Sequence, residues 1–175
     1  MDTQILMQKA AEFHGHECPG LAIGVLVAKY ILEHKNNYSP DEELVAVVEN
    51  DNCSIDALQV LLGTTYGKGN LIHLDYGKLN YSIYNRKTEK AVKFSLKTGG
   101  IKNKKLSRDE YIKQLLKLKA EDLFKIEEIE YHPPELAQIE ESIKCEICGD
   151  LTMHSKIMLH NGSEICIPCY KKMRE

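Results

Sequence analysis

Hydrophobic positions along the chain recur at helical spacing first and at strand spacing later. Residues Thr3 to Phe13 put Leu6, Ala10 and Phe13 on one helical face, and His14-Gly15-His16-Glu17-Cys18 interrupts that pattern. Pro19 is a preferred first-turn residue, so a second helix is predicted from Cys18–Pro19 to about His34. It is apolar nearly all round, which predicts burial. Gly20, Gly24 and Ala28 lie four apart on it and form a smooth ridge that another backbone could approach. After a loop from Asn36 to Pro40, the valine-rich run Leu44–Val48 reads as a buried strand. A third helix from about Cys53 to Leu62 presents Ile55, Leu58, Leu61 and Leu62, and Gly63 stops it.

Strand-like segments follow at Leu71–Tyr76, Leu79–Asn85 and Ala91–Lys97. In the second of these, Leu79, Tyr81 and Ile83 alternate with Asn80 and Ser82, the period of a half-buried strand. Ser107-Arg108-Asp109-Glu110 is a capping box that opens an amphipathic helix to about Asp122. Phe124–Tyr131 is a last strand candidate. Pro133-Pro134 marks a linker, and Leu136, Ile139 and Ile143 fall on one side of a short predicted helix. The order of elements predicts an α+β fold, with helices packed on a mostly antiparallel sheet and a small C-terminal module appended. The predicted division is a core domain over 1–132, a linker over 133–144 and the module over 145–175.

Composition adds little to this until the cysteines are considered. The chain has 175 residues, 43% hydrophobic and 28% charged, with a net charge of −3. That is ordinary globular material, and the acidic balance argues against nucleic acid as a partner. The run Lys102 to Lys105 reads as a solvated loop. Residues Met1 to Glu12 lack the apolar stretch of a secretory signal. Leu21 to Ala28 is far shorter than the ~20 residues that span a bilayer. A cytoplasmic protein is therefore expected, with six reduced cysteines available as metal ligands or reactive groups.

Four of those cysteines form two C-x-x-C knuckles, Cys145/Cys148 and Cys166/Cys169, with 17 residues between them. Each knuckle can present two sulfurs to one ion at ~2.3 Å, and two knuckles complete a tetrahedron. Four protein ligands leave no open position, so a structural zinc is expected; iron in a rubredoxin-like site is the other option. Gly149 can supply the positive φ of the knuckle turn. Lys156–Leu159 and Asn161-Gly162 read as a hairpin. Lys171, Lys172 and Arg174 suit the negative end of a short helix.

The second cluster is His14, His16 and Cys18, which would share one side of an extended segment. Cys18 and Cys53 each sit at a predicted helix N-terminus, where the dipole favours a thiolate. Asp56 lies one turn beyond Cys53. These residues are candidates for a second, open divalent-metal site in a cleft, with His14, His16, Cys18 and Cys53 as ligands. For a reaction there, Cys53, Asp56 and His14 are the catalytic candidates. The bland alternative is a buried cysteine and hydrogen-bonded histidines at a helix junction. Gly67-Lys68-Gly69 is too short for a P-loop and reads as a tight turn. Lys68, with Gly67 and Gly69, is a cofactor-binding candidate only as an attractor of an anionic group at the cleft mouth.

In combination these segments carry a resemblance. Phe13-His14-Gly15-His16-Glu17-Cys18-Pro19-Gly20-Leu21-Ala22-Ile23-Gly24 resembles the opening signature of the FmdE family, which takes its name from a component of formylmethanofuran dehydrogenase. Cys53-Ser54-Ile55-Asp56-Ala57-Leu58-Gln59, Gly63-Thr64-Thr65-Tyr66-Gly67-Lys68-Gly69-Asn70-Leu71 and Asp75-Tyr76-Gly77-Lys78 match the same family in the same order. The resemblance covers roughly Met1 to Tyr131, and the C-terminal cysteine module also looks like that of many members. It implies an α+β core that forms a homodimer, with a cleft near His16, Cys18 and Cys53. It also implies association with the subunits of the molybdenum or tungsten oxidoreductase that fixes carbon dioxide onto methanofuran in methanogenesis. It implies no defined reaction. Where many members have a cysteine this chain has Thr64, so a third cleft thiolate is absent and a mixed His/Cys site remains. Two functions are expected from this: an accessory metal-binding protein of such an oxidoreductase, or a stand-alone metal- or thiol-dependent enzyme acting on a small molecule.

Overall fold

The structure is a computed structural model that describes residues 1–34, 38–98 and 106–174. It divides into two compact units, Met1–Ala137 and Gln138–Glu175. In the first, α1 (Thr3–His14), α2 (Pro19–His34) and α3 (Ser54–Leu62) pack on a five-stranded sheet of order β2-β1-β3-β4-β5. The strands are β1 (Leu44–Val48), β2 (Leu71–His73), β3 (Asn80–Asn85), β4 (Lys90–Leu96) and β5 (Phe124–Ile129). Only the β1–β2 pair is parallel; β1–β3, β3–β4 and β4–β5 are antiparallel. The fold is thus α+β with a mostly antiparallel sheet.

Alternation decides which sheet face is buried against the helices. Leu44, Ala46 and Val48 of β1, Tyr81 and Ile83 of β3, and Val92 and Phe94 of β4 join one core with Leu21, Val25 and Ala28 of α2. Tyr81, Phe94 and Phe124 meet edge to face at its centre, the arrangement that aromatic quadrupoles favour. The small-residue ridge of α2 faces α3. A Cβ at Gly20 would meet Cys53 Cβ at 3.2 Å, and one at Gly24 would lie 2.8 Å from Ser54 Cα. The close neighbour that the ridge requires is therefore α3 of the same chain.

Two expected elements differ. The helix predicted from Ser107 to Asp122 does open on its capping box, but it divides into α4 (Arg108–Leu115) and α5 (Ala120–Leu123). The Asp122 carboxylate accepts the Lys119 N–H at 2.8 Å and starts a new turn there. The helix predicted around Leu136, Ile139 and Ile143 does not form. Ala137 N–H goes to the Glu42 side chain at 3.2 Å and Arg86 Nη2 donates to the Pro134 carbonyl at 2.7 Å, which holds this stretch extended. Ile143 lies instead in β6 (Ser142–Lys144), paired with β7 (Leu151–Met153). In the second unit a 3-10 turn (His154–Lys156) leads into the hairpin of β8 (Ile157–His160) and β9 (Ser163–Cys166), followed by α6 (Ile167–Lys172). Asn161 and Gly162 turn it with φ of 51° and 85°, the both-positive pattern of a two-residue hairpin loop. The lysine run Lys102 to Lys105 lies outside the described residues. Among the described residues no helix is long and apolar enough to cross a membrane.

Candidate metal centre and cleft

The βαβ connection from β1 through α3 to β2 sets the position of the first site. The two parallel strands end side by side, with Val48 beside His73. The chain leaving β1 turns at once into α3, so Cys53 and Asp56 stand beyond the carboxyl ends of the strands. That is the place where open sheets with parallel strands bind ligands. On the other side, His14 closes α1 and Gly15 turns the chain with φ of 94°. His14 and His16 therefore converge by a helix-capping turn, not by the extended geometry expected from their spacing. The ligand atoms of His14, His16 and Cys18 lie within 4.8 Å of one another.

Cys18 and His14 are held by hydrogen bonds, while exposed His16 has a ring contact with His14 at 4.6 Å. Cys18 is buried, directly before α2, and its Sγ accepts the Leu21 N–H at 3.3 Å. His14 Nε2 lies 3.8 Å from that sulfur, while His14 Nδ1 lies 2.6 Å from Asp56 Oδ2. The other Asp56 oxygen accepts Gln59 Nε2 at 3.2 Å, and Gln59 Oε1 accepts the Tyr66 N–H at 3.2 Å. Asp56 therefore stands behind His14 and orients it, leaving Nε2 to face Cys18. Cys53 meets Cys18 from the α3 side. Burial, then the Cys18 thiol beside it, pushes the Cys53 thiol above its ordinary range. The lowering expected from the helix N-terminus is outweighed.

The donor set, imidazole nitrogen with thiol sulfur, suits a borderline-soft divalent ion. A carboxylate behind a ligating imidazole is the usual support of such a site. Asp56→Asn is accordingly expected to lower divalent-metal affinity of this site about 10- to 100-fold. Competition with a chromophoric chelator would measure it, and unchanged affinity would remove Asp56 from this role.

The site opens into a cleft of about 350 Å³ lined by His14, Cys53, Asp56, Asp51, Tyr66 and His73, among others. The sequence reading missed Asp51 and His73. Their signal was present only as the ends of β1 and β2, whose parallel pairing brings them together. Lys68 does not serve the cleft as expected. Its Nζ donates to the carbonyls of Ser39, Pro40 and Asp41 at 2.9, 3.3 and 2.8 Å, so its donors are spent on the chain itself. Gly69 takes φ of 77° in a tight turn, and Gly67 faces open space. Thr64 is fully buried and donates to the Leu58 carbonyl at 3.2 Å.

The second site is the cysteine cluster. The four sulfurs of Cys145, Cys148, Cys166 and Cys169 lie within 4.8 Å of one another. Cys148 and Cys166 are 3.8 Å apart, matching the ~3.8 Å edge of a tetrahedron with metal–sulfur bonds of ~2.3 Å. Gly149 follows the first knuckle with φ of 80°. Cys166 ends β9 and Cys169 lies in the first turn of α6. Backbone N–H groups of Cys148 and Cys166 hold the Cys145 thiol down to about 6, so it readily becomes the thiolate that a metal requires. The cluster can hold a metal ion.

Comparison with known proteins identifies the family and the fold. Residues 13–144 match the profile of a family described as "FmdE, Molybdenum formylmethanofuran dehydrogenase operon". A curated relative from Archaeoglobus fulgidus, a "Probable S-adenosyl-L-methionine-binding protein", is 32% identical over 94% of this chain. The chain spans about half, 52%, of that relative's length. The fold also resembles the crystal structure of an FmdE-like protein, of the tungsten formylmethanofuran dehydrogenase type, from Syntrophus aciditrophicus. That match has a TM-score of 0.71 at 20% identity, covering 99% of this chain and 94% of the other.

Proposed function

The chain belongs to the FmdE family, and on that premise we propose that it is a metal-binding accessory protein of a molybdenum or tungsten formylmethanofuran dehydrogenase-type oxidoreductase. The observation that carries the reading is the convergence of His14, His16 and Cys18, with Asp56 backing His14. In this reading Cys53 joins those three around a second divalent metal. The metal would polarise a ligand that reaches it through the open cleft; the chain's own residues fix the imidazole and admit the ligand. The Cys145/Cys148/Cys166/Cys169 cluster holds a structural zinc, with four protein ligands and no open position. The core over residues 1–132 carries the cleft, and the module over 145–175 carries the zinc. The protein works as a cytoplasmic homodimer alongside the oxidoreductase subunits, and its place in methanogenesis follows from that partnership.

A second reading has support in the cleft itself. An open, partly apolar hollow beside a thiol and an imidazole–carboxylate pair suits a stand-alone enzyme acting on a small molecule, with Cys53 or His14 at the reacting atoms.

Metal analysis of the full chain tests the proposal. Two zinc-like ions per chain are expected in the wild type, and one in Cys18→Ser. Co-purification of dehydrogenase subunits with the tagged chain supports the accessory role. Two ions per chain in Cys18→Ser would refute the cleft centre.

A further inference from the structure

The charge of the cleft lining says which ligands can enter. Among the described residues, the lining of the cleft contains no lysine or arginine. Its carboxylates are Asp51 and Asp56, and its sulfur is Cys53. Lys68, expected from the sequence at the cleft mouth, is not in the lining and is tied to three carbonyls. The lining polar groups fall into two sets. Asp56 and Gln59 are spent on His14, on each other and on the Tyr66 backbone, and Asn52 accepts the Ser54 N–H at 2.9 Å. The side chains of Asp51 and His73, both solvent-exposed, make no hydrogen bond or ion pair among the described residues and line the open volume. Tyr66, 76% exposed, offers a ring face at the same mouth.

Beside the metal of the reading above, whose charge the two thiolates balance, an anionic ligand entering this hollow meets a free carboxylate and no lysine or arginine. A cationic ligand meets the Asp51 carboxylate and an aromatic face, both of which attract it. We propose that the cleft selects small molecules carrying an ammonium group, with Asp51 and Tyr66 holding the cation while a second donor on the ligand reaches the His14/His16/Cys18/Cys53 metal. The inference rests on the metal reading above for that second attachment point. It assigns to Asp51 a role in ligand choice.

Three hydroxamates of equal length separate the two ideas. β-Alanine hydroxamate ends in ammonium, butyrohydroxamate in methyl and succinic monohydroxamate in carboxylate; each carries the same metal-binding group. They are titrated calorimetrically into the full-length zinc-loaded protein at about pH 8, above the ordinary imidazole range. The ammonium compound is expected to bind about five-fold tighter than the methyl compound, and the carboxylate compound weaker by a similar factor. Asp51→Asn should collapse the spread, and Tyr66→Leu should narrow it while circular dichroism stays unchanged. Equal affinities for all three in the wild type, or tightest binding by the carboxylate, would overturn the ammonium preference and leave the metal reading standing. Binding by none of them, with a single zinc per chain, would refute the metal reading and this inference together.

Discussion

Cys145→Ser is expected to release one metal ion per chain and unfold residues 138–175, while residues 1–137 stay folded. The reason is the size of the second unit's core. Its buried cluster consists of Cys145, Ile165 and Cys166, with Cys169 and Tyr170 packed against it. Three of those five residues are ligands, so the apolar contribution is small. Leu151 and Leu159 are each about three-quarters exposed and add little. In small four-ligand modules metal binding supplies apparent free energies of about 10–16 kcal/mol, which is folding free energy. The shorter Cβ–O bond of serine also draws the acceptor back from the Cys166 N–H, which lies 3.3 Å from Cys145 Sγ at the start of α6. A heteronuclear NMR spectrum would show the module's amide signals collapse to unfolded shifts while the core signals persist. A dispersed module spectrum in the serine variant would defeat the argument.

Gly24→Ala is expected to destabilise the core by about 2–3 kcal/mol, although alanine is the better helix former by roughly 1 kcal/mol. The added methyl would overlap the Ser54 backbone, with Cα and C at 2.8 Å. Backbone cannot rotate aside as a flexible side chain can, so the start of α3 must shift. That start is pinned from its other side by Ser54 Oγ and Tyr81 Oη, 2.7 Å apart and buried. The shift would draw Cys53 away from Cys18 and Asp56 away from His14, so cleft metal affinity should fall along with stability. Gly67→Ala is the control, because nothing lies within 4 Å of where its methyl would sit. Denaturant unfolding of the two variants measures the difference; equal stability of Gly24→Ala and wild type would reject the close approach.

The elements that were legible are those whose signals are local. Leu44–Val48 forms a strand with the expected bounds, and Gly63 ends α3 with φ of 73°. The C-x-x-C spacing marked the cysteine cluster because a tight knuckle places its own sulfurs. Contacts between distant segments were not legible. Asp56 could be seen one turn beyond Cys53, but not its contact with His14, 42 residues away. Asp51 and His73 became cleft residues only when β1 and β2 paired in parallel. The break between α4 and α5 was hidden for the opposite reason. Ile112, Leu115, Ala120 and Leu123 keep helical spacing across it and are buried, so periodicity runs on where the hydrogen bonds do not. The stretch through Leu136 and Ile139 was misread because their spacing happens to be helical, while both side chains are exposed.

Lys68 acts as a tethered ion. Three backbone carbonyls converging on a single positive charge form the kind of cage that a bound potassium or sodium ion ordinarily organises. Here the ion is covalently attached to the loop that it orders, so it cannot dissociate and its local concentration never changes. The corner joining residues 39–41 to the start of β2 thus needs no monovalent ion from solution to hold it. It is vulnerable instead to chemistry on the lysine: acetylation would discharge the caged cation and release the three carbonyls together.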